Sequence, residues 1–237
     1  MDEQLQRAAN KGDLDMLYRA LAENPHAFDH LDKMQVVKTP LHRAVSEEKI
    51  NFAIEIMRLK PSFSKKLDAR GLSPMHLALE KKQIRTVHRF LETDNGAELV
   101  RVKGKEGVTP LHYVVEQGDL KLLNEFLSVS PRSITDTTNR GETALHIAVK
   151  NGNTEALEAL LVFLRRSWND EALHLEEKVL NWQDEEGYTV LHAAAKMNQL
   201  QVLMMMKLLL KCNVHVNAIS LDGSTVLDIV SELVNTA

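Results

Sequence analysis

The sequence has few of the residues that would point to a disulfide-bonded, fibrous or disordered protein. A single cysteine, Cys212, excludes an internal disulfide framework and fits a reducing compartment. Only 10 glycines and 6 prolines in 237 residues argue against a collagen-like or disordered chain. Aromatic residues make up 5% of the chain, which suits thin helical layers built from Leu, Ala and Val.

The sequence also lacks a long hydrophobic run. The most apolar stretch, residues 200–210, is interrupted by Gln201 and Lys207. It is well short of the roughly 18 to 20 residues that a membrane span needs. The first residues are acidic and polar, unlike a secretory signal. We therefore expect a soluble, cytoplasmic chain.

A short string recurs through the whole sequence and predicts its fold. A Thr or Ser is followed by Pro, Ala or Val, then by Leu or Met, then by His. Successive copies begin 34, 36, 34, 46 and 36 residues apart. The copies begin at Thr39, Ser73, Thr109, Thr143 and Thr189, and a degenerate copy that ends in Asp begins at Thr225.

The chemistry of this string predicts the start of a helix. A Thr side chain can accept a hydrogen bond from an unpaired backbone N–H of the first turn, and Pro loses nothing at the first helical position. A second amphipathic segment follows, for example residues 119–127, with apolar residues three and four apart. Each unit is thus a turn and two antiparallel helices, and it buries its apolar face only by stacking on its neighbours.

These residues and this period resemble the ankyrin repeat. The resemblance predicts an all-α ankyrin-repeat solenoid with about five full repeats and a partial repeat at each end. We expect a single domain over residues 1–237. The repeats are placed at roughly 1–33, 34–67, 68–103, 104–137, 138–183 with an insertion, 184–219 and 220–237.

Two kinds of departure from the family pattern are visible. Glu48, Lys82 and Asn198 stand where a left-handed glycine usually closes the first helix, so we expect their repeats to be locally softer. The fifth repeat is longer than its neighbours, and its extra residues fall at 165–174. They form either a functional loop or a plain helix extension. Residues 227–234 are predicted to form a last helix that no following helix covers. This helix is either a terminal cap or a sign that the sequence was cut from a longer one, and we favour the cut. The closing glycine is present at Gly12, Gly118 and Gly152.

Longer segments resemble plant ankyrin proteins that carry membrane segments after the repeats. The resemblance rests on segments such as residues 1–12, 57–63, 99–104 and 141–150, and it covers essentially the whole chain. It implies a cytosolic binding domain at the plasma membrane, tethered by a membrane domain absent from this chain. It also implies a role in immune or stress signalling through binding.

The sequence offers little that predicts catalysis, a cofactor or a metal. His26 and His30 have the spacing of a zinc pair but lack further ligands at suitable positions. Cys212 has no partner cysteine, and no phosphate-binding loop or nucleophile motif occurs. We interpret the repeated histidines as structural and the protein as not an enzyme. These histidines are His42, His76, His112, His146 and His192.

Charge is unevenly distributed along the chain. Residues 58–105 carry 12 basic and 5 acidic residues, whereas residues 168–187 carry 7 acidic residues and one lysine. Ordinary solvated helix faces would explain this, and so would a surface that orients a charged partner. Nucleic acid is disfavoured because the chain is acidic overall and its basic stretch has few aromatic residues.

The resemblance places partner binding on the turn tips and on the exposed side of each first helix, which line a groove. We therefore predict a scaffold that binds another protein or peptide. Arg70, Lys105 and Arg140 would favour an acidic partner. The alternative is a regulatory subunit or inhibitor that blocks an enzyme through the same groove. The predicted partner-binding residues are Arg70, Leu72, Lys81, Lys105, Glu106, Val108, Glu116, Asn139, Arg140, Lys150, Glu185, Tyr188 and Met197.

Overall fold

The structure is a computed structural model that describes residues 3–166, 170–197 and 199–235. These residues form helices joined by turns, with isolated β-bridges such as the one between Thr137 and Thr143. The predicted all-α class is confirmed. The chain divides into two compact units, Met1–Lys105 and Glu106–Ala237, which are described separately.

The first unit contains three helix pairs. In each pair we call the helix nearer the N-terminus the first helix and its partner the second helix. We call the recurring string that begins with Thr or Ser the capping string, and it precedes every first helix except α1. The first helices α1, α4 and α6 pack side by side, and each packs on its second helix, α2, α5 or α7. The helices are α1 (Glu3–Lys11), α2 (Leu14–Glu23), α3 (Asp29–Lys33), α4 (Pro40–Ser46), α5 (Ile50–Leu59), α6 (Pro74–Glu80), α7 (Ile84–Leu91) and α8 (Gly96–Leu99).

The second unit repeats this arrangement. The first helices α9, α11, α14 and α16 pack in sequence, and the second helices α10, α12 and α15 form the other layer. The helices are α9 (Pro110–Gln117), α10 (Leu120–Val129), α11 (Ala144–Lys150), α12 (Thr154–Arg165), α13 (Asp170–Leu180), α14 (Val190–Ala195), α15 (Gln199–Leu209) and α16 (Val226–Asn235).

The apolar stripes of the two layers face each other and form the core. Leu41, Leu111 and Leu145, three of the leucines of the capping string, are completely buried. Phe52 and Phe126 of the second helices are also buried. Because each leucine lies between its own second helix and the neighbouring first helices, the core is continuous through the stack of each unit.

The insertion of the fifth repeat is helical where it is described. Short 3-10 turns at Pro61–Lys65 and Pro131–Thr135 follow the second helices of other repeats, whereas α13 follows α12. Helix α13 packs on α12 and buries Val179 and Leu180. Trp168, within this insertion, lies outside the described residues.

The first helices end, as predicted, at a residue in the left-handed backbone conformation. Gly12, Gly118 and Gly152 adopt the left-handed backbone conformation, and Glu48 and Lys82 adopt it as well, with φ of 56° and 55°. Residues with a Cβ lose roughly 1 to 2 kcal/mol in this conformation. Asn198 lies outside the described residues.

Glu48→Gly and Lys82→Gly are therefore each expected to stabilise the protein by about 0.5–1 kcal/mol. The substitution removes the Cβ strain, and part of this gain is offset by the extra freedom of glycine in the unfolded chain. Native-state hydrogen exchange should slow across α4 and α5, or across α6 and α7. The control is Lys81→Gly, one residue before Lys82 and with φ of −81°, which should destabilise. Destabilisation by Glu48→Gly and Lys82→Gly would show that these helix ends are not strained.

Candidate partner-binding face

Four of the turn tips are built on a buried polar residue that lies five positions before the capping Thr or Ser: Asp68, Thr138, Asp184 and Ser220. In the sixth repeat this residue is Asp184, whose Oδ1 accepts hydrogen bonds from the N–H groups of Glu186 at 3.1 Å and Tyr188 at 2.9 Å. In the third repeat Asp68 accepts from Arg70 and Leu72 in the same way. Burial opposes ionisation of Asp68, but these backbone donors and Arg70 hold the pKa of its carboxyl below the usual value.

Neighbouring tips are joined by backbone hydrogen bonds. In the second unit the Asn139 N–H donates to the Glu106 carbonyl at 2.8 Å, and the Glu185 N–H donates to the Arg140 carbonyl at 2.8 Å. In the first unit the Lys105 N–H donates to the Gly71 carbonyl at 2.8 Å. Within each unit the tips therefore form a fixed ladder rather than independent loops.

This ladder explains the glycine that precedes the capping residue by two positions. Gly187 has φ of 79°, and a Cβ added there would lie 2.6 Å from the backbone nitrogen of Leu221. That nitrogen donates to the Glu186 carbonyl. A side chain at position 187 would be strained and would also push apart two neighbouring tips.

The repeated histidines cap helices and join repeats. His42 Nδ1 lies 2.8 Å from Thr39 Oγ1 and 3.3 Å from Thr39 N, and Nε2 lies 3.0 Å from the Leu72 carbonyl. A backbone N–H only donates and a carbonyl only accepts, so Nδ1 is the acceptor and Nε2 carries the proton. His146 makes the equivalent contacts to Thr143 and Tyr188. These contacts agree with the structural role predicted for the repeated histidines.

Burial keeps these histidines neutral. Desolvation lowers the pKa of His42 to about 4, although the hydrogen bond to Leu72 opposes the shift. The same cause lowers the pKa of His146 and of His192. A neutral imidazole is what the capping geometry requires, because Nδ1 must accept.

Five of the predicted binding residues line one cleft in the second unit. The cleft has a volume of about 350 Å³ and lies between the tips and first helices of the fourth and fifth repeats. Apolar side chains of Val108 and Ile147 contribute to its lining, beside the polar side chains of Thr138 and Asn151. The predicted residues that line it are Glu106, Val108, Glu116, Asn139 and Arg140.

Lys150 lies beside this cleft in an ionic network. Its Nζ is 2.6 Å from Glu142 Oε1 and 3.3 Å from Asp184 Oδ2, and both carboxylates are nearly buried. Burial opposes the charge of Lys150, but the hydrogen bond and charge of Glu142 together with Asp184 raise the pKa of Lys150 above its ordinary value. Lys150 therefore stays charged and is already matched by two acids of its own unit.

The remaining predicted residues of the second unit form a second group. Arg140 Nε lies 3.4 Å from Glu185 Oε1. Tyr188 donates its hydroxyl to Asp222 at 2.9 Å, and the Lys196 ammonium lies 3.5 Å from the centre of the Tyr188 ring. A cation over an aromatic face is attracted by the ring quadrupole, so this tyrosine is held from both sides.

In the first unit, three of the four predicted residues are exposed and one is half-buried. Arg70 is paired with Glu80 at 2.9 Å and with Asp68 at 3.5 Å, so its charge is largely matched within its own unit. Lys81 and Lys105 are exposed, and Leu72 is half-buried. At least five of the twelve cations of residues 58–105 are ion-paired: Arg58, Lys60, Lys65, Arg70 and Arg89.

Four apolar residues among the predicted binding residues are only partly exposed. Leu72, Val108, Tyr188 and Met197 are all half-buried, because the tips pack against each other and against the first helices. Part of each side chain is still accessible to solvent. They therefore form apolar edges within a polar face rather than an open hydrophobic patch.

Sequence reasoning missed three residues that shape this face: Thr138, Ile147 and Asp184. Thr138 and Asp184 occupy the tip position whose side chain holds the turn, and a polar residue recurs there at Asp68 and Ser220. That recurrence is visible in the sequence and could have identified them. The half-burial of Ile147 could not have been found, because it depends on the neighbouring tip.

His26 and His30, the zinc pair considered from the sequence, are not part of a metal-binding group in the described residues. Among the described residues, no group of three or more His, Cys, Asp or Glu side chains is arranged to hold a metal ion. His26 Nδ1 instead lies 2.8 Å from Asp29 Oδ2. No helix in the described part of the chain has the length and apolar character needed to cross a membrane.

Comparison with known proteins identifies the family. A family model of three consecutive ankyrin repeats matches residues 85–171, and a model of the single ankyrin repeat matches residues 186–221. Together they cover just over half of the chain. The chain belongs to the ankyrin-repeat family. Ankyrin repeats indicate a protein–protein interaction domain, and their fold is in general a non-catalytic scaffold.

Several proteins are similar to this ankyrin-repeat chain. The "Ankyrin repeat-containing protein BDA1" of Arabidopsis thaliana is 41% identical over 73 residues, which are 31% of this chain and 17% of that protein. The "Probable 26S proteasome regulatory subunit p28" of Saccharomyces cerevisiae is 26% identical over 66% of this chain and 79% of its own length. The chain spans less than a fifth of the first plant relatives that it matches.

Solved structures agree on the fold. The ankyrin-repeat domain of Bcl-3 superposes with a TM-score of 0.67 over 98% of both chains at 20% identity. An ankyrin-repeat protein, EF0377, superposes with a TM-score of 0.62 over 83% of this chain and 92% of its own at 19% identity. At such identity the likeness shows the fold alone.

Proposed function

We propose that this chain is a non-catalytic scaffold that binds a partner protein through the tips and first helices of its ankyrin repeats. The observation that carries the proposal is the cleft of the second unit, where five independently predicted residues meet. We call the predicted residues Glu106, Val108, Glu116, Asn139, Arg140, Lys150, Glu185, Tyr188 and Met197 the binding face.

The construction of this face supports the proposal. Its tips are held by backbone hydrogen bonds and by buried side chains such as Asp184, so they do not need to become ordered when a partner binds. A preorganised surface loses less conformational entropy on association than a mobile one. Half-buried Val108 and Tyr188 supply apolar contact surface, surrounded by charged residues as in other recognition surfaces.

A paired substitution tests this proposal. Glu116→Arg with Asn151→Arg changes two exposed residues of the cleft, and we expect it to weaken binding of a captured partner by at least about tenfold. The matched control is Glu158→Arg with Asn124→Arg, the same changes at exposed residues of the second helices. Asn124 and Asn151 both donate to the carbonyl four residues earlier, so each pair of substitutions removes one such hydrogen bond.

The measurement is titration of the purified partner against each variant, with circular dichroism melting as the check on folding. The control pair should change the affinity by no more than about twofold. Loss of binding in the control pair, with full affinity in the cleft pair, would place the partner on the second helices instead.

The cellular setting is a further part of the proposal. The resemblance to plant ankyrin proteins, together with 41% identity to the Arabidopsis relative over 73 residues, supports a role in plant immune or stress signalling. We propose that the chain acts at the cytosolic face of the plasma membrane, as part of a membrane-tethered protein. Co-fractionation of the full-length plant protein with plasma membrane would test this setting, and recovery with another compartment would contradict it.

A regulatory subunit or inhibitor is the second candidate. It is favoured by the similarity to a yeast protein named as a probable proteasome regulatory subunit, since the match covers 79% of that protein. An activity assay on the captured partner, with and without this chain, distinguishes the two. A change in turnover would indicate a regulator, and unchanged turnover a scaffold.

A further inference from the structure

The charges around the cleft of the second unit do not favour an acidic partner. The cations of the cleft region, Arg140 and Lys150, are already matched by acids: Arg140 lies beside Glu185, and Lys150 is shared by Glu142 and Asp184. The carboxylate of Glu116 comes in addition to these pairs, and Glu116 is exposed. The cleft region therefore carries more negative than positive charge.

The backbone adds to this negative potential at one end of the cleft. Glu116 lies in the last turn of α9, which contains no basic residue. The C-terminal end of a helix carries partial negative charge and favours a cation nearby, although the Val114 and Val115 carbonyls at the end of α9 already accept hydrogen bonds. Helix α9 thus supplies both a carboxylate and a helix end to the same cleft.

The apolar part of the lining determines what kind of cation fits. Val108 and Ile147 are half-buried and line the cleft together with Glu116. Arginine and lysine side chains carry a long aliphatic stem that packs on apolar surface while the charged head stays in a polar environment. A volume of about 350 Å³ falls in the range of pockets that enclose small ligands, so it accommodates one such side chain.

We propose that this cleft binds an arginine or lysine side chain from an extended segment of the partner protein. The stem lies on Val108 and Ile147, and the head donates hydrogen bonds to Glu116 and to the polar groups beside it. The inference rests on the proposed function, because it assumes that this face binds protein. It assigns a basic character to the segment that enters the cleft, in place of the acidic character that Arg70, Lys105 and Arg140 suggested from the sequence.

A library of random short linear peptides, selected against the full chain, tests this assignment. We expect the binders to share one Arg or Lys, and replacing it by norleucine should weaken binding about tenfold, as expected when a charge-assisted hydrogen bond is lost. Glu116→Gln should weaken the parent peptide by a similar factor and should leave the norleucine peptide unchanged. Glu158→Gln, at an exposed glutamate of the second helix α12, is the matched control and should have no effect.

The outcomes separate this inference from the proposed function. Binders that need the cleft but share an acidic or apolar residue would overturn the inference and leave the proposed function standing. Binders that keep full affinity for the Glu116→Arg, Asn151→Arg variant would count against the face itself. Failure to select any binder would count against the inference alone, because a captured folded partner would still support the scaffold.

Discussion

Leu145→Ala is expected to lower the free energy of unfolding by about 2–5 kcal/mol, the range for deleting a buried leucine side chain. Leu145 is completely buried in α11, which packs on α9, α12 and α14. Three neighbouring helices thus lose contacts to one residue, and a stack of packed helices cannot collapse easily onto the cavity. Against an ordinary stability of about 5–15 kcal/mol, this is a large loss.

Urea unfolding followed by circular dichroism measures this effect. The matched control is Leu227→Ala, at the same position of the capping string, where the side chain is 73% exposed. It should change the stability by less than about 1 kcal/mol. Equal losses in the two variants would mean that burial in the stack does not determine the stability contribution of this leucine.

Acidification from pH 7 to pH 5 is expected to destabilise the protein by at least about 2 kcal/mol. The pKa of His42 is about 4 in the folded protein, against 6.5 for an unperturbed histidine. Between these values the unfolded chain binds a proton that the folded protein does not, so stability falls as the pH falls through 6.5. His42 alone contributes about 2 kcal/mol of this loss down to pH 5.

His146 and His192 act in the same direction, because burial lowers the pKa of both. The measurement is the urea midpoint at pH 7 and at pH 5 for the wild type and for His42→Gln. The variant loses stability at both pH values, but its loss on acidification should be smaller by about 2 kcal/mol. His30→Gln removes an exposed histidine and leaves the five buried histidines in place, so the loss of stability on acidification should persist. An acid loss that is undiminished in His42→Gln would contradict the neutral, buried state of His42.

The sequence by itself determined the helix pairs and their order. The capping string specifies each helix start through local hydrogen bonds. In α4 the Thr39 hydroxyl accepts a hydrogen bond from the His42 backbone N–H, and the His42 ring accepts one from the Thr39 backbone N–H. These bonds require two residues three positions apart and no distant contact. The left-handed closures at Glu48 and Lys82 were also predictable, because the register of the repeat fixes the place where the first helix must end.

Only the tertiary structure decided which charges and apolar groups of the predicted binding residues remain available to a partner. Arg70 and Glu80 are ten residues apart, and Lys150 and Asp184 are 34 apart, so their pairing depends on how tips and first helices pack. The half-burial of Tyr188 depends likewise on Asp222 and Lys196, which no local pattern connects to it. A repeat specifies its own turn and helices through local hydrogen bonds, whereas the chemistry of its surface arises from contacts between repeats.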